Sequence, residues 1–210
     1  MDLNSKYPAI SDLRTKARKR IPHFAWEYLD SATGDESTLH RNRSSLDAIH
    51  FVPRGLRGEI KPQLATEFLG RSYSAPFGIA PVGMSGLMWP GAEKALAGFA
   101  AGAKIPYGMS TVATTTPEDV APHLGDMGWF QMYPPRDEAI RNDMIQRVKD
   151  AGFTTLVVTI DVPAQSRRER QIRGGLVQPP RLTLRILAQV AGCPEWALRT
   201  ALNGKPRMKM

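Results

Sequence analysis

Cysteine is almost absent. Cys193 stands alone among 210 residues, so no internal disulfide, zinc ribbon or CxxC redox pair can form, and the usage fits a reducing compartment. Long apolar runs are missing too. The uncharged stretch from Ala75 to Ala92 is broken by Pro76, Pro81, Pro90 and several glycines, whereas a membrane-spanning helix needs about 20 mostly apolar residues. The opening MDLNSKYP carries Asp2 and Lys6 with no apolar core behind them, unlike a secretory signal. The expectation is a cytoplasmic protein. No GxxxxGK[ST] loop, HExxH, GxSxG elbow or GxGxxG turn occurs. The four histidines, His23, His40, His50 and His123, lie in helical or loop segments without metal-ligand spacing, so no metal site is expected.

What is present reads as globular. Hydrophobic residues make up 42% and charged residues 23%, which sets aside disorder, collagen and coiled coil. The length supports one good-sized core or two small domains. Twenty-eight basic against twenty acidic residues give a formal charge of +8. That balance keeps an anionic partner open: a phosphate, a carboxylate, nucleic acid or a lipid surface.

Three textures divide the chain. Residues 1–75 read as a helical segment followed by a hairpin. A short basic helix passes through Arg14, Lys16, Arg18, Lys19 and Arg20, and Pro22 opens a second over PHFAWEYLDSA. Gly34 stops that helix, and Asp35 can cap a third carrying Leu39, Leu46 and Ile49. ATEFLGRSYSAPF reads as two short extended pieces about Gly70-Arg71. Residues 76–163 alternate strand and helix. The strands are PFGIAPV, PYGMST, WFQMY and TTLVVTIDV, the last expected to be buried on both faces. The helices between them run over Glu93 to Lys104, from Thr116-Pro117 to Leu124, and from Arg136 to Ala151. That rhythm predicts a parallel sheet with helices outside. Residues 164–210 form a basic tail: from Gln178 the positives are Arg181, Arg185, Arg199, Lys205, Arg207 and Lys209 against the one acid Glu195.

Polar and small residues collect at the carboxyl ends of the strands: Pro81-Val82-Gly83, Ser110-Thr111, Gln131 to Tyr133, Thr159 and Asp161. Parallel sheets and (β/α)₈ barrels place their chemistry at that end. Gln131 and Thr159 can satisfy a flat heterocycle of alternating donors and acceptors, with Gly83 permitting close approach. Pairing with neighbouring backbone is the competing reading. Arg167-Arg168 can clamp a carboxylate, although an RRER run is by itself usually a solvated face.

Six ordered blocks resemble one family, the FMN-dependent α-hydroxy-acid dehydrogenases and oxidases. They are EYLDSATGDESTL, FLGRSYSAPFGIAPVGMSGL, GMSTVATTTPEDVA, WFQMY, TLVVTIDVP and the SRRER that follows. The resemblance implies an α/β fold of (β/α)₈ type, here reduced to about four βα units behind an N-terminal helical segment. It implies FMN as cofactor, with Pro81, Val82 and Gly83 along the flavin and Ser110, Gln131 and Thr159 hydrogen-bonded to it. Tyr28, Tyr133 and Arg168 would bind substrate, Arg168 through the carboxylate, and Asp161 would orient a catalytic histidine.

Nothing after Arg168 matches the family's second half, with its flavin-contacting lysine, HGGRQ-type segment and glycine-rich phosphate site. The expectation is an N-terminal half, inactive alone, acting in intact form on an L-lactate-like or mandelate-like 2-hydroxy acid. Self-association follows from unpaired strand edges. The tail over 178–210 suits an anionic membrane surface on the cytoplasmic side; a solvated loop over the barrel mouth is the alternative. A non-catalytic remnant or a basic binder of anions or nucleic acid is the competing class. No RRM, KH or helix-turn-helix pattern supports nucleic acid.

Overall fold

The computed structural model describes residues 2–161, 166–176, 183–204 and 206–209. The chain divides into two compact units, Met1–Gln63 with Ala164–Ala197, and Leu64–Pro163 with Leu198–Met210.

The first unit opens with α1 (Leu3–Lys6), α2 (Ile10–Arg18), α3 (His23–Asp30) and α4 (Ser37–Asp47). Asp12 closes the start of α2 by accepting from Ala9 N at 3.0 Å. Pro22, with no N–H to lose, occupies the N-cap of α3. That helix turns Phe24, Ala25, Trp26 and Glu27 inward. Asp35 does accept from Ser37 N at 3.1 Å, although Glu36, left-handed at φ 64°, is the capping position of α4. Leu39, Leu46 and Ile49 remain exposed, so their helical spacing marks no core face among the described residues.

The second unit begins with an antiparallel hairpin, β1 (Thr66–Phe68) and β2 (Arg71–Tyr73), turned by Leu69 and Gly70. Then come α5 (Ser85–Met88), α6 (Ala92–Ala103), β3 (Tyr107–Ser110), α7 (Pro117–Leu124), β4 (Gly128–Met132), α8 (Glu138–Asp150) and β5 (Thr155–Val158). Thr116 and Asp137 cap α7 and α8 by accepting from Asp119 N and Ala139 N. β3, β4 and β5 form a parallel sheet in that order. PFGIAPV contributes only a single parallel bridge, Ile79 to Tyr107, rather than a full strand.

Pleating sorts the sheet's side chains. Met109, Phe130 and Met132 pack among Ala97, Ala100, Val120, Leu124, Met144 and Val148 of the helices. Gly108, Gln131 and Val157 face the other way, into an apolar cavity of about 440 Å³. The expectation that the last strand is buried on both faces is not met: Leu156 and Val158 are 43% and 46% exposed. β5 lies at the sheet's edge, and its outer face is left partly open.

The described part of the tail adds α9 (Glu169–Gly174), α10 (Leu184–Ala191) and α11 (Pro194–Asn203). Trp196 is 4% exposed and meets Phe24 edge to face at 5.9 Å, so it is core in the first unit rather than a lipid-facing anchor. Gln178, Arg181 and Lys205 lie outside the described residues.

Candidate functional site

Three strand-end side chains form one continuous hydrogen-bonded line. β3 and β4 run in register with Ser110 beside Gln131, and Thr159 follows β5 with its N–H donating to Met132 O at 3.0 Å. Ser110 Oγ donates to Gln131 Oε1 at 3.0 Å, and Gln131 Nε2 donates to Thr159 Oγ1 at 2.7 Å. Gln131 is 5% exposed. A primary amide has two donor protons and two acceptor lone pairs. One of each is used along the line, and the other pair remains for a planar heterocycle laid against the strand ends.

Pro81 lines the same cavity as Gly108 and Gln131. The approach depends on glycine: a Cβ on Gly108 would stand 2.8 Å from Pro81 Cδ and 3.0 Å from Pro81 N. Val82 is exposed and Gly83 half-buried, both immediately before Met84, whose N–H donates to Val112 O at 2.8 Å. Tyr133 is exposed, its backbone N–H donating to Thr111 Oγ1 at 3.1 Å. Asp161 is exposed and makes no hydrogen bond among the described residues. The Gln131 amide, held between Ser110 and Thr159 at the wall of this cavity, suits the alternating donors and acceptors of a flavin's polar edge, so the residues present fit the group.

In the first unit, Tyr28 and Arg168 are brought together across the sequence. The Arg168 guanidinium lies 5.7 Å from the centre of the Tyr28 ring, and Arg168 Nη1 donates to Tyr28 O at 3.4 Å. The neighbouring Arg170 was not singled out by sequence reasoning. It engages three carboxylates: Glu27 bidentately at 2.7 and 3.2 Å, Asp30 at 3.1 Å, and Glu36 at 3.0 and 3.1 Å. These partners hold the Arg170 pKa well above its ordinary value, the Glu27 bonds contributing most. The RRER run is therefore no solvated face at this position. An (i, i+3) pair of acids, Glu27 and Asp30, on the same helix as Tyr28 was the signal available in the sequence.

Parallel strands β3, β4 and β5 joined by helices α7 and α8, with polar side chains at their carboxyl ends, make the second unit a piece of an α/β protein of the parallel-sheet class. Residues 17–210 match the FMN-dependent dehydrogenase family, and the chain belongs to that family. L-lactate dehydrogenase from Xanthomonas campestris pv. campestris (strain 8004) is 37% identical over 198 residues, 94% of this chain and 51% of that protein. The L-lactate dehydrogenase of Vibrio parahaemolyticus serotype O3:K6 is 36% identical over 94% of this chain and 52% of its own length. Among solved structures, a monotopic membrane protein, (S)-mandelate dehydrogenase, superposes with a TM-score of 0.88 at 32% identity, over 95% of this chain and 53% of that one. A mandelate oxidase superposes at 0.76 with 30% identity, over 90% of this chain and 59% of that one. The fold is thus part of a (β/α)₈ barrel, and the chain spans about half the length of the curated relatives it matches.

Proposed function

We propose that this chain supplies one wall of the site for FMN-dependent oxidation of a 2-hydroxy acid, L-lactate-like or mandelate-like, to the 2-oxo acid. The observation that carries the reading is the Ser110–Gln131–Thr159 line at the ends of adjacent parallel strands. Bound FMN supplies the two-electron acceptor. Pro81, Val82 and Gly83 would hold the ring, and Ser110, Gln131 and Thr159 would hydrogen-bond it. Arg168 holds the substrate carboxylate through parallel N–H···O bonds. Tyr28 and Tyr133 orient the substrate, a phenol steadying the developing charge on oxygen. Asp161 orients the base that takes the hydroxyl proton.

None of the four histidines stands at a strand end: His23 and His40 are in α3 and α4, His50 follows α4, and His123 is in α7. General-base catalysis contributes about 10²–10⁴ in rate, so residues 1–210 on their own turn over negligibly. Purified chain is assayed for dye reduction with L-lactate and with mandelate, and for FMN carried through gel filtration. Family-like turnover with retained FMN refutes this.

A second reading concerns the tail. On α10, Leu184 is 86% exposed and stands beside Arg185, giving an apolar and cationic surface suited to anionic lipid. No described helix is long and apolar enough to cross a membrane. Co-sedimentation with anionic but not neutral vesicles is expected; no sedimentation at low salt ends the idea.

A further inference from the structure

We propose that Glu93 is a positioning residue: its buried carboxylate locks the start of α5, just after Pro81–Gly83, to the loop after Ser110, an inference that rests on the reading of those residues as one flavin-facing wall. Glu93 is 2% exposed, in the first turn of α6. Burying a carboxylate is costly, so packing alone does not account for it. The neighbouring Lys94 turns to Asp119, at 3.9 Å. Instead a single oxygen, Oε1, accepts from Gly86 N at 3.1 Å, Thr114 N at 3.0 Å and Thr114 Oγ1 at 2.7 Å. The positive end of α6 also favours negative charge at this position.

The two partners of Glu93 belong to different crossings of the chain. Gly86 lies three residues past Gly83, and Thr114 four residues past Ser110. Their approach is so close that a Cβ on Gly86 would stand 1.9 Å from Thr114 Oγ1. A second tie runs alongside, from Met84 N–H to Val112 O at 2.8 Å, and Val112 N–H in turn donates to Ser110 Oγ at 3.3 Å. Glu93 thus anchors Thr114, whose backbone leads back two residues to the Val112 N–H on Ser110, and Ser110 is bonded onward to Gln131 and Gln131 to Thr159. Three donors converging on one oxygen suit a carboxylate; the oxygen of an amide accepts them more weakly.

The test compares Glu93→Gln, Thr114→Val and Thr114→Ser in the full chain by residue-resolved amide exchange. Glu93→Gln and Thr114→Val are expected to speed exchange at 84–86 and 112–114 by about tenfold or more, with β4 and α8 unchanged. Thr114→Ser, which keeps the hydroxyl, is expected to stay within about twofold. Unchanged exchange in the first two variants, or a uniform rise across the second unit, overturns the proposal. Millimolar FMN is then titrated into each protein while amide shifts are followed. Loss of the response at Val82 and Gly83 with that of Gln131 kept is expected in Glu93→Gln; loss of both together overturns the positioning role in favour of a general structural one. Absence of any response in the unmodified chain refutes the flavin reading, and the exchange result still decides the clamp.

Discussion

Removing the Arg170 guanidinium tests how the first unit holds Tyr28 and Arg168. Its five N–H donors are spread over Glu27, Asp30 and Glu36. In Arg170→Met the aliphatic bulk stays, but Glu27, whose side chain is 8% exposed, loses its bidentate partner. Breaking a fully buried pair costs about 3–5 kcal/mol and an exposed pair about 0–1. The Arg170 side chain is 32% exposed, which places the loss at about 2–3 kcal/mol, between those limits. Urea unfolding followed by tryptophan fluorescence reports it, since Trp26 and Trp196 are both buried in this unit. With a urea slope of about 2 kcal/mol/M the midpoint falls by about 1 M. Lysine restores charge but not the fork, so Arg170→Lys should recover less than half. The deficit also depends on pH. Burial raises the Asp30 pKa, but hydrogen bonds from Arg14 and Arg170 outweigh it, and the net shift is downward. The Glu36 carboxyl is lowered chiefly by the Ala32 N–H and then by Arg170. Groups depressed in the folded state stabilise it above their unfolded pKa, and that contribution fades as pH falls through the folded value. The gap between wild type and Arg170→Met should therefore shrink below about pH 4. A loss under about 0.5 kcal/mol at neutral pH, or a gap that widens in acid, refutes the reasoning.

Three further outcomes are expected. Gly108→Ala drives a Cβ against the Pro81 ring, at Cδ and N, and should cost about 1–3 kcal/mol by overpacking; a melting midpoint equal to wild type would contradict this. Leu156 and Val158 leave an apolar outer face on the edge strand, so the unmodified chain should self-associate. Lysine at both positions should shift its sedimentation toward monomer, and a monodisperse wild-type monomer at micromolar concentration would argue against it. Arg173 is exposed and, among the described residues, pairs with Glu169 four residues before it, so Arg173→Ala should change stability by less than about 0.5 kcal/mol.

The elements that sequence pattern located well are those whose signals are local. Thr116-Pro117 opens α7 through a hydroxyl cap and a proline that needs no N–H, and both are written in adjacent residues. The strand-end polar residues were equally visible, because a parallel βα rhythm dictates where they must fall. Two features were not. TTLVVTIDV has the β-branched composition of a buried strand, yet its burial depends on a neighbour that composition does not describe, and β5 sits at the sheet's edge. PFGIAPV carries Pro76 and Pro81, which remove ladder donors, and it pairs through Ile79 alone. The roles of Glu93 and Arg170 depend on partners that only folding brings near, so an acid in an alanine-rich helix and an arginine in a charged run looked ordinary.

The central claim is that the tips of β3, β4 and the segment after β5 form one flavin-facing line. Its most direct measurement is the NMR response of the Gln131 side-chain amide as FMN is raised to millimolar concentration. A saturating shift at that amide, shared by the amides of Val82, Gly83, Ser110 and Thr159, is the predicted result. Shifts confined to the basic helix over Ile10–Arg18, or none at Gln131, would contradict it.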